Sequence, residues 1–168
     1  MIFPTTVAAI ATPYGRGGIA TIRISGRDAI ASADCVFATK SGKKLSEIPQ
    51  NRVVYGNILS GSEIIDDGMA AIFRAPHSYT GEDTVEISCH GGLLITETVL
   101  SAIPTAGATQ AGPGDFTQRA FINGKLTLTE AEAVIDLIDA ETDDQMKLAR
   151  QHTSGVLSRE ISSLYDAL

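Results

Sequence analysis

An α+β fold, with a mixed or antiparallel sheet and flanking helices, is the expectation from three features of these 168 residues. Strand-like runs come in pairs close together in the sequence. Helix-like runs fall between them without the regular alternation of a doubly wound sheet, and from Thr129 onward the chain turns acidic and helical. With 43% hydrophobic residues the chain can bury an ordinary core.

Thr6 to Ala11 reads as a strand, PYGRGG as a loop, and Ile19 to Ser25 as a second strand. In the latter, Ala20, Ile22 and Ile24 share one face and Thr21, Arg23 and Ser25 the other. Arg27 to Phe37 carries Ile30, Ala33, Val36 and Phe37 at helical spacing, and Thr39 to Gln50 is a polar loop. Arg52 to Leu59 and Met69 to Arg74 form a strand pair joined around SGSEIIDDG. Thr84 to His90 follows, with Val85, Ile87 and Cys89 on one face and Thr84, Glu86, Ser88 and His90 on the other. Leu93 to Ile103 fits a helix with Ile95, Val99, Ala102 and Ile103 along one stripe, ended by Pro104.

Thr105 to Ala111 is a weak strand candidate. Asp115 caps a short helix reaching Phe121, and Asn123-Gly124 stops it just before Lys125. Thr129 with Glu132 makes a capping box for a long helical tract. Its apolar seam runs through Val134, Leu137 and Ile138, then Leu157, Ile161, Leu164 and Leu168, with a break near Gly155. The seam reaches the last residue, so further helices are expected to pack on it from a following segment or another chain.

The formal charge of −7 is unevenly placed, with nine acids against three bases in residues 129–168. A near-neutral front part gives no phosphate-tracking surface, which argues against independent nucleic-acid binding. Cys35 and Cys89 are far apart and outside any C-x-x-C pattern, so two reduced thiols are expected rather than a disulfide framework or zinc knuckle. There is no basic leader before an apolar run and no stretch of roughly 20 apolar residues. A soluble, cytoplasmic chain without membrane contact is expected. PYGRGG does not complete G-x-G-x-x-G, because Ala20 stands at the last glycine, and no G-x-x-x-x-G-K-[ST] occurs. The glycine loop is therefore read as a tight connection between strands, and the chain by itself is not expected to hydrolyse GTP.

The segment PHSYTGEDTVEISCHGG, residues 76–92, concentrates His77, Glu82, Asp83, Glu86, Cys89 and His90, without any metal-ligating spacing. No metal is expected. Cys89 and His90 point to opposite strand faces and cannot act as a nucleophile and base. His90 is expected to bond to backbone at the strand-to-helix corner, His77 to sit in a loop, and His152 to be solvated or packed on a helix. Three residues remain as candidates: Arg23 and Glu86, charges inside strands where charge is depleted unless it meets water or a partner, and Lys125 beyond the NG turn. Two cations and one anion suit a flat heterocycle carrying carboxylates.

Taken together, ATPYGRGGIATIRISG, APHSYTGEDTVEISCHGG and PGDFTQRAFINGKLTLTEAEAVIDLIDAET closely resemble, in the same order, three blocks of the MnmE (TrmE) tRNA-modification GTPases. They cover 64 of the 168 residues. Departures from the family pattern are Tyr14 for proline, Asp115 for glutamate and Thr127 for aspartate. The resemblance implies a tetrahydrofolate-binding and dimerisation domain over residues 1–124, similar in fold to folate-binding aminomethyltransferases such as the glycine-cleavage T-protein. Residues 125–168 would begin a helical domain, into which the family inserts a GTPase domain lying outside this chain.

The resemblance also implies function. The family works with the flavoprotein MnmG (GidA) to form 5-(carboxymethyl)aminomethyl-uridine at the tRNA wobble position, using a one-carbon unit of 5-formyl- or 5,10-methylene-tetrahydrofolate. GTP, Mg and K would bind only through the GTPase domain. The family's folate-binding arginine, glutamate and lysine match Arg23, Glu86 and Lys125, with no catalytic residue assigned. A homodimer through this domain is implied as well. The alternatives are a non-catalytic dimerisation and docking module, or a stand-alone folate-dependent aminomethyltransferase-like protein.

Overall fold

The computed structural model describes residues 5–103 and 107–153. Among them, seven strands form one sheet: β1 (Thr6–Ile10), β2 (Ile19–Ser25), β3 (Phe37–Thr39), β4 (Arg52–Ser60), β5 (Glu63–Phe73), β6 (Thr84–His90) and β7 (Ala108–Gln110). Their order is β3-β4-β5-β6-β2-β1-β7. All neighbours are antiparallel except β1 and β7, so the sheet is mixed. Both edge strands are only three residues long. The described residues divide into two compact units, one up to Pro113 and one from Gly114 onward. The first holds the sheet with helices α1 (Ala29–Val36) and α2 (Leu93–Ala102); the second holds α3 (Asp115–Ile122), α4 (Leu128–Ile138) and α5 (Asp143–Thr153).

Strand alternation builds the core of the first unit. Ala20, Ile22 and Ile24 of β2, Val85, Ile87 and Cys89 of β6, and Ala70 and Ile72 of β5 are buried in one cluster with Ala29, Ala33 and Val36 of α1 and Val99 and Ala102 of α2. Each wholly buried isoleucine contributes about 1.5 to 3 kcal/mol. Because the period is two, Thr21, Arg23, Glu86, Ser88 and Met69 lie on the opposite, outer face.

Several local expectations need correction. β5 begins at Glu63, so IIDDG is strand and only Gly61-Ser62 turns the hairpin. Phe37 leaves the helix for β3, and the loop that follows contains a single 3-10 turn at Leu45–Glu47, where the Asp34 carboxylate accepts the Leu45 amide at 2.5 Å. The N-cap position of the next helix is Gly114, and Asp115 is its first helical residue. Pro104 and the Gly155 to Leu168 part of the seam lie outside the described residues.

In the second unit the long tract is two helices. α4 takes an earlier capping frame: the Glu130 amide donates to the Thr127 hydroxyl at 3.3 Å, and the Thr127 amide donates to Glu130 Oε2 at 2.7 Å. Thr127 and Thr129 both start an S/T-x-x-E pattern; the earlier one adds two residues of helix hydrogen bonding. The tract breaks at residues 139–142, because a second box starts there. The Gln145 amide donates to the Thr142 hydroxyl at 3.3 Å and Gln145 Oε1 accepts the Thr142 amide at 3.1 Å. Thr127→Ala is expected to lower stability by about 1 kcal/mol, read as an earlier urea midpoint. Thr129→Ala should not lower it, and equal losses in both would contradict the earlier cap.

Candidate functional site

Arg23 and Glu86 lie directly opposite each other on β2 and β6. Arg23 donates to one carboxylate oxygen, Oε1, twice: from Nε at 2.8 Å and from a terminal nitrogen at 2.7 Å. The side chains are 25% and 28% exposed, so the pair is reachable but partly shielded from water. Glu86 Oε2 accepts no hydrogen bond among the described contacts, which leaves it open to a donor from a ligand.

Arg23 is also held from above. Its guanidinium carbon lies 5.4 Å from the centre of the Tyr79 ring. Tyr79 sits in the segment 74–83, which is rooted by a buried polar network. The Ser25 hydroxyl donates to Glu82 Oε2 at 2.9 Å and shares a 2.7 Å hydrogen bond with Thr80; Ser25, Thr80, Glu82 and Thr84 are all buried. The Ser78 hydroxyl donates to the Glu82 carbonyl at 2.6 Å, and the Ala75 amide to the Asp83 carboxylate at 2.9 Å. A flat, cationic fork fixed on two sides is preorganised to bind a planar acceptor. The contacts of Tyr79 and Glu82 were not legible in the sequence, because their partners Arg23 and Ser25 lie on β2, more than fifty residues away.

Lys125 belongs to the second unit. Its amide donates to the Ala120 carbonyl at 2.8 Å, closing α3 behind Gly124, whose φ of 71° favours glycine. Its side chain is exposed. The structure therefore brings Arg23 and Glu86 into contact and places Lys125 on the turn the sequence predicted.

His90 departs from expectation. Its partner is a side chain: Nδ1 lies 2.7 Å from Asp66 Oδ1, and the His90 amide donates to Asp66 Oδ2 at 2.9 Å. The hydrogen bond to Asp66 comes first, and its charge second, in raising the histidine above its ordinary value. For Asp66, burial works to raise the carboxyl, but the bonds from His90 together take it below the usual range. A raised histidine stabilises the fold fully below its ordinary value and loses that contribution as pH rises through the folded value; a lowered carboxylate contributes above its ordinary value and loses it as pH falls. The pair thus contributes most between about pH 4 and 6.5. The His90 ring is 70% exposed, so the effect is modest. His90→Gln should lower the urea midpoint more at pH 5 than at pH 8.5; the same loss at both values would dissociate this pair from stability.

The neighbouring groups act as scaffold. Burial, followed by the nearby Asp66 charge, pushes the Cys89 thiol up, and the side chain is enclosed. The PYGRGG loop is pinned to the corner after β6 by the Gly17 amide on the Gly91 carbonyl at 2.9 Å. A Cβ on Gly91 would meet the Gly17 carbonyl oxygen at 2.6 Å, so only glycine lets the two backbones approach. His77 is exposed, and its amide donates to the Arg74 carbonyl. Among the described residues, no three His, Cys, Asp or Glu side chains converge to hold a metal, and no helix is long and apolar enough to cross a membrane.

By fold and site this is a mixed-sheet α+β domain carrying a clamped arginine-carboxylate pair on the sheet face opposite its two helices. The chain belongs to the family described as the GTP-binding protein TrmE N-terminus, whose model matches residues 6–125. It is 46% identical over 161 residues to a protein of Carboxydothermus hydrogenoformans named tRNA modification GTPase MnmE, covering 95% of this chain and 35% of that one. Proteins of the same name from Symbiobacterium thermophilum and Clostridioides difficile are 47% and 43% identical, over 97% and 99% of this chain and 36% of each of theirs. The chain thus spans about a third of the length of the curated relatives it matches.

Proposed function

We propose that this chain is the folate-binding and dimerising region of a tRNA-modification GTPase. In this reading it works in the cytoplasm with the flavoprotein MnmG to form 5-(carboxymethyl)aminomethyl-uridine at the tRNA wobble position. The observation that carries the reading is the Arg23–Glu86 pair, fixed on the outer sheet face with one carboxylate oxygen still open. The donor set fits a reduced pterin. Its 2-amino group and N3-H form a paired donor edge, which the Glu86 carboxylate accepts at Oε2 and, by sharing with Arg23, at Oε1. Arg23 and Lys125 hold the pterin carbonyl or the glutamate tail.

Bound there, 5-formyl- or 5,10-methylene-tetrahydrofolate supplies the one-carbon unit, while this chain's residues bind and orient it. The domain is a T-protein-like fold in this reading, and two copies associate through it. GTP, Mg and K belong to a GTPase domain of the whole protein. Calorimetric titration of the chain with 5-formyltetrahydrofolate should give saturable binding. A chain that is dimeric by ultracentrifugation yet takes up no folate would rule the reading out.

A second reading, an assembly module that docks MnmG without binding folate, is favoured by one observation. The groove of about 550 Å³ between α3 and α4 is lined by the exposed apolar residues Phe121, Leu128, Ile135 and Ile138. Capture of MnmG by a chain with Arg23, Glu86 and Lys125 all replaced, together with no folate uptake by the wild type, would select it.

A further inference from the structure

Arg52 opens β4 opposite Ile72, so Arg74, just past the end of β5, is its diagonal neighbour at about 7 to 8 Å. Alternation gives both the face of the buried Ile58 and Ile72, opposite the face of Arg23 and Glu86. On that side Arg74 ties down the loop between β3 and β4: one terminal nitrogen donates to the Ser46 carbonyl at 2.8 Å and lies 3.4 Å from the Ile48 carbonyl. The Asp34 carboxylate holds the same loop from α1, accepting the Leu45 amide at 2.5 Å and the Ser46 amide at 3.3 Å. The loop is thus fixed, and it presents Lys43 and Lys44 to solvent just before its 3-10 turn. Four of the eight Lys and Arg residues of the first unit meet at this end of the sheet. Three acids lie there too, but each is occupied: Asp34 as above, Glu47 by the Lys44 amide at 2.7 Å, and Asp83 by the Ala75 amide at 2.9 Å. Among the described residues, no ion pair engages Lys43, Lys44, Arg52 or Arg74.

We infer that this end of the sheet is a contact surface for the phosphate backbone of an RNA chain. The inference rests on the tRNA reading above and gives it a second face, on the helix side of the sheet. Cations that meet phosphates release the counterions condensed on the nucleic acid, and that release rewards the contact. A protein partner fits less well, because the cores of protein interfaces are poor in lysine and rely on buried apolar anchors. Here Leu45 is buried and Ile48 half-buried, and the exposed neighbours Ser46, Gln50 and Asn51 are hydrogen-bonding groups. Such side chains suit phosphate and sugar oxygens. The patch was hidden in the sequence, since Arg74 stands 22 residues beyond Arg52 and only strand pairing brings the two together. Four cations hold RNA weakly, so the surface orients an RNA held elsewhere in the complex and selects no sequence by itself.

Fluorescence anisotropy of an end-labelled tRNA transcript carrying a wobble uridine, titrated with the chain over a range of salt, tests the surface. Wild type is expected to bind weakly and saturably at about 50 mM salt. Lys44→Ala with Arg52→Ala should bind about tenfold more weakly or worse, and its slope of log affinity against log salt should be shallower by about 1.5. Arg16→Ala with Arg27→Ala removes the same charge from exposed positions elsewhere and should leave both quantities nearly unchanged. Acetylation of Lys43 and Lys44, followed by mass spectrometry, should be slowed by the RNA, while that of the exposed Lys147 should not. Equal losses in the two double variants, or no protection of Lys43 and Lys44, would overturn the surface. Binding of poly-glutamate more tightly than the RNA, lost in Lys44→Ala with Arg52→Ala, would give the patch to an acidic protein and overturn it too. No RNA binding by a wild type that takes up 5-formyltetrahydrofolate defeats the surface alone; failure of both RNA and folate defeats the reading beneath it.

Discussion

Glu86→Ala is expected to weaken 5-formyltetrahydrofolate binding by about 100-fold or more. Each hydrogen bond to the carboxylate contributes about 1.5 to 3 kcal/mol, and each 1.4 kcal/mol is about tenfold in affinity, so losing a two-bond anchor costs at least two decades. Arg23 would lose its cross-strand partner yet keep the Tyr79 ring, so the guanidinium is left less fixed rather than displaced. Glu86→Gln should fall between: the amide offers one acceptor, but its NH₂ group meets the donor edge head on. Calorimetry on folded variants, with circular dichroism as the control, reads the effect. Comparable affinities for wild type and Glu86→Ala would remove Glu86 from the site and leave the pair as a structural bridge.

Gly91→Ala is expected to cost about 2 to 4 kcal/mol of stability and to lower the melting temperature by roughly 10 °C. The added carbon would meet the Gly17 carbonyl oxygen at 2.6 Å, the Gly17 carbonyl carbon at 2.8 Å and the Ile19 carbonyl carbon at 2.9 Å. All three are backbone atoms, which cannot rotate aside as a side chain can. Gly92→Ala is the natural control, since its Cβ would meet only the Ile95 methyl at 3.4 Å. Equal melting temperatures for wild type and Gly91→Ala would show that the 11–18 loop is not packed against this corner.

The parts of the fold that were legible are those whose information is local. β2 and β6 were found to the residue, because ATIRI and VEISC alternate between apolar and polar positions and are bounded by glycines. The same alternation exposed Arg23 and Glu86 as charges on the outer face. Their contact was not legible, since it depends on the register of two strands 63 residues apart. The first half of β5 was missed for a related reason. Asp66, Asp67 and Gly68 disfavour a strand by propensity, and what offsets them comes from elsewhere: His90 for Asp66, and Tyr55 for Asp67. The break between α4 and α5 was hidden by competing frames, with Thr127, Thr129 and Thr142 each beginning a pattern that can cap a helix. Propensity alone does not choose among them; the observed hydrogen bonds select the first and the last.

The brevity of β3 and β7 bears on how copies of the domain can meet. An edge strand advertises unpaired amides and carbonyls to any passing strand, and long, flat edges invite fibre-like stacking. Here each outermost strand offers three residues before the chain turns away. Such short templates hold an incoming strand poorly, so growth of the sheet from one molecule into the next is suppressed at both ends. Contacts with other molecules are thereby left to the side chains of the broad sheet and helix surfaces rather than to backbone groups at a border.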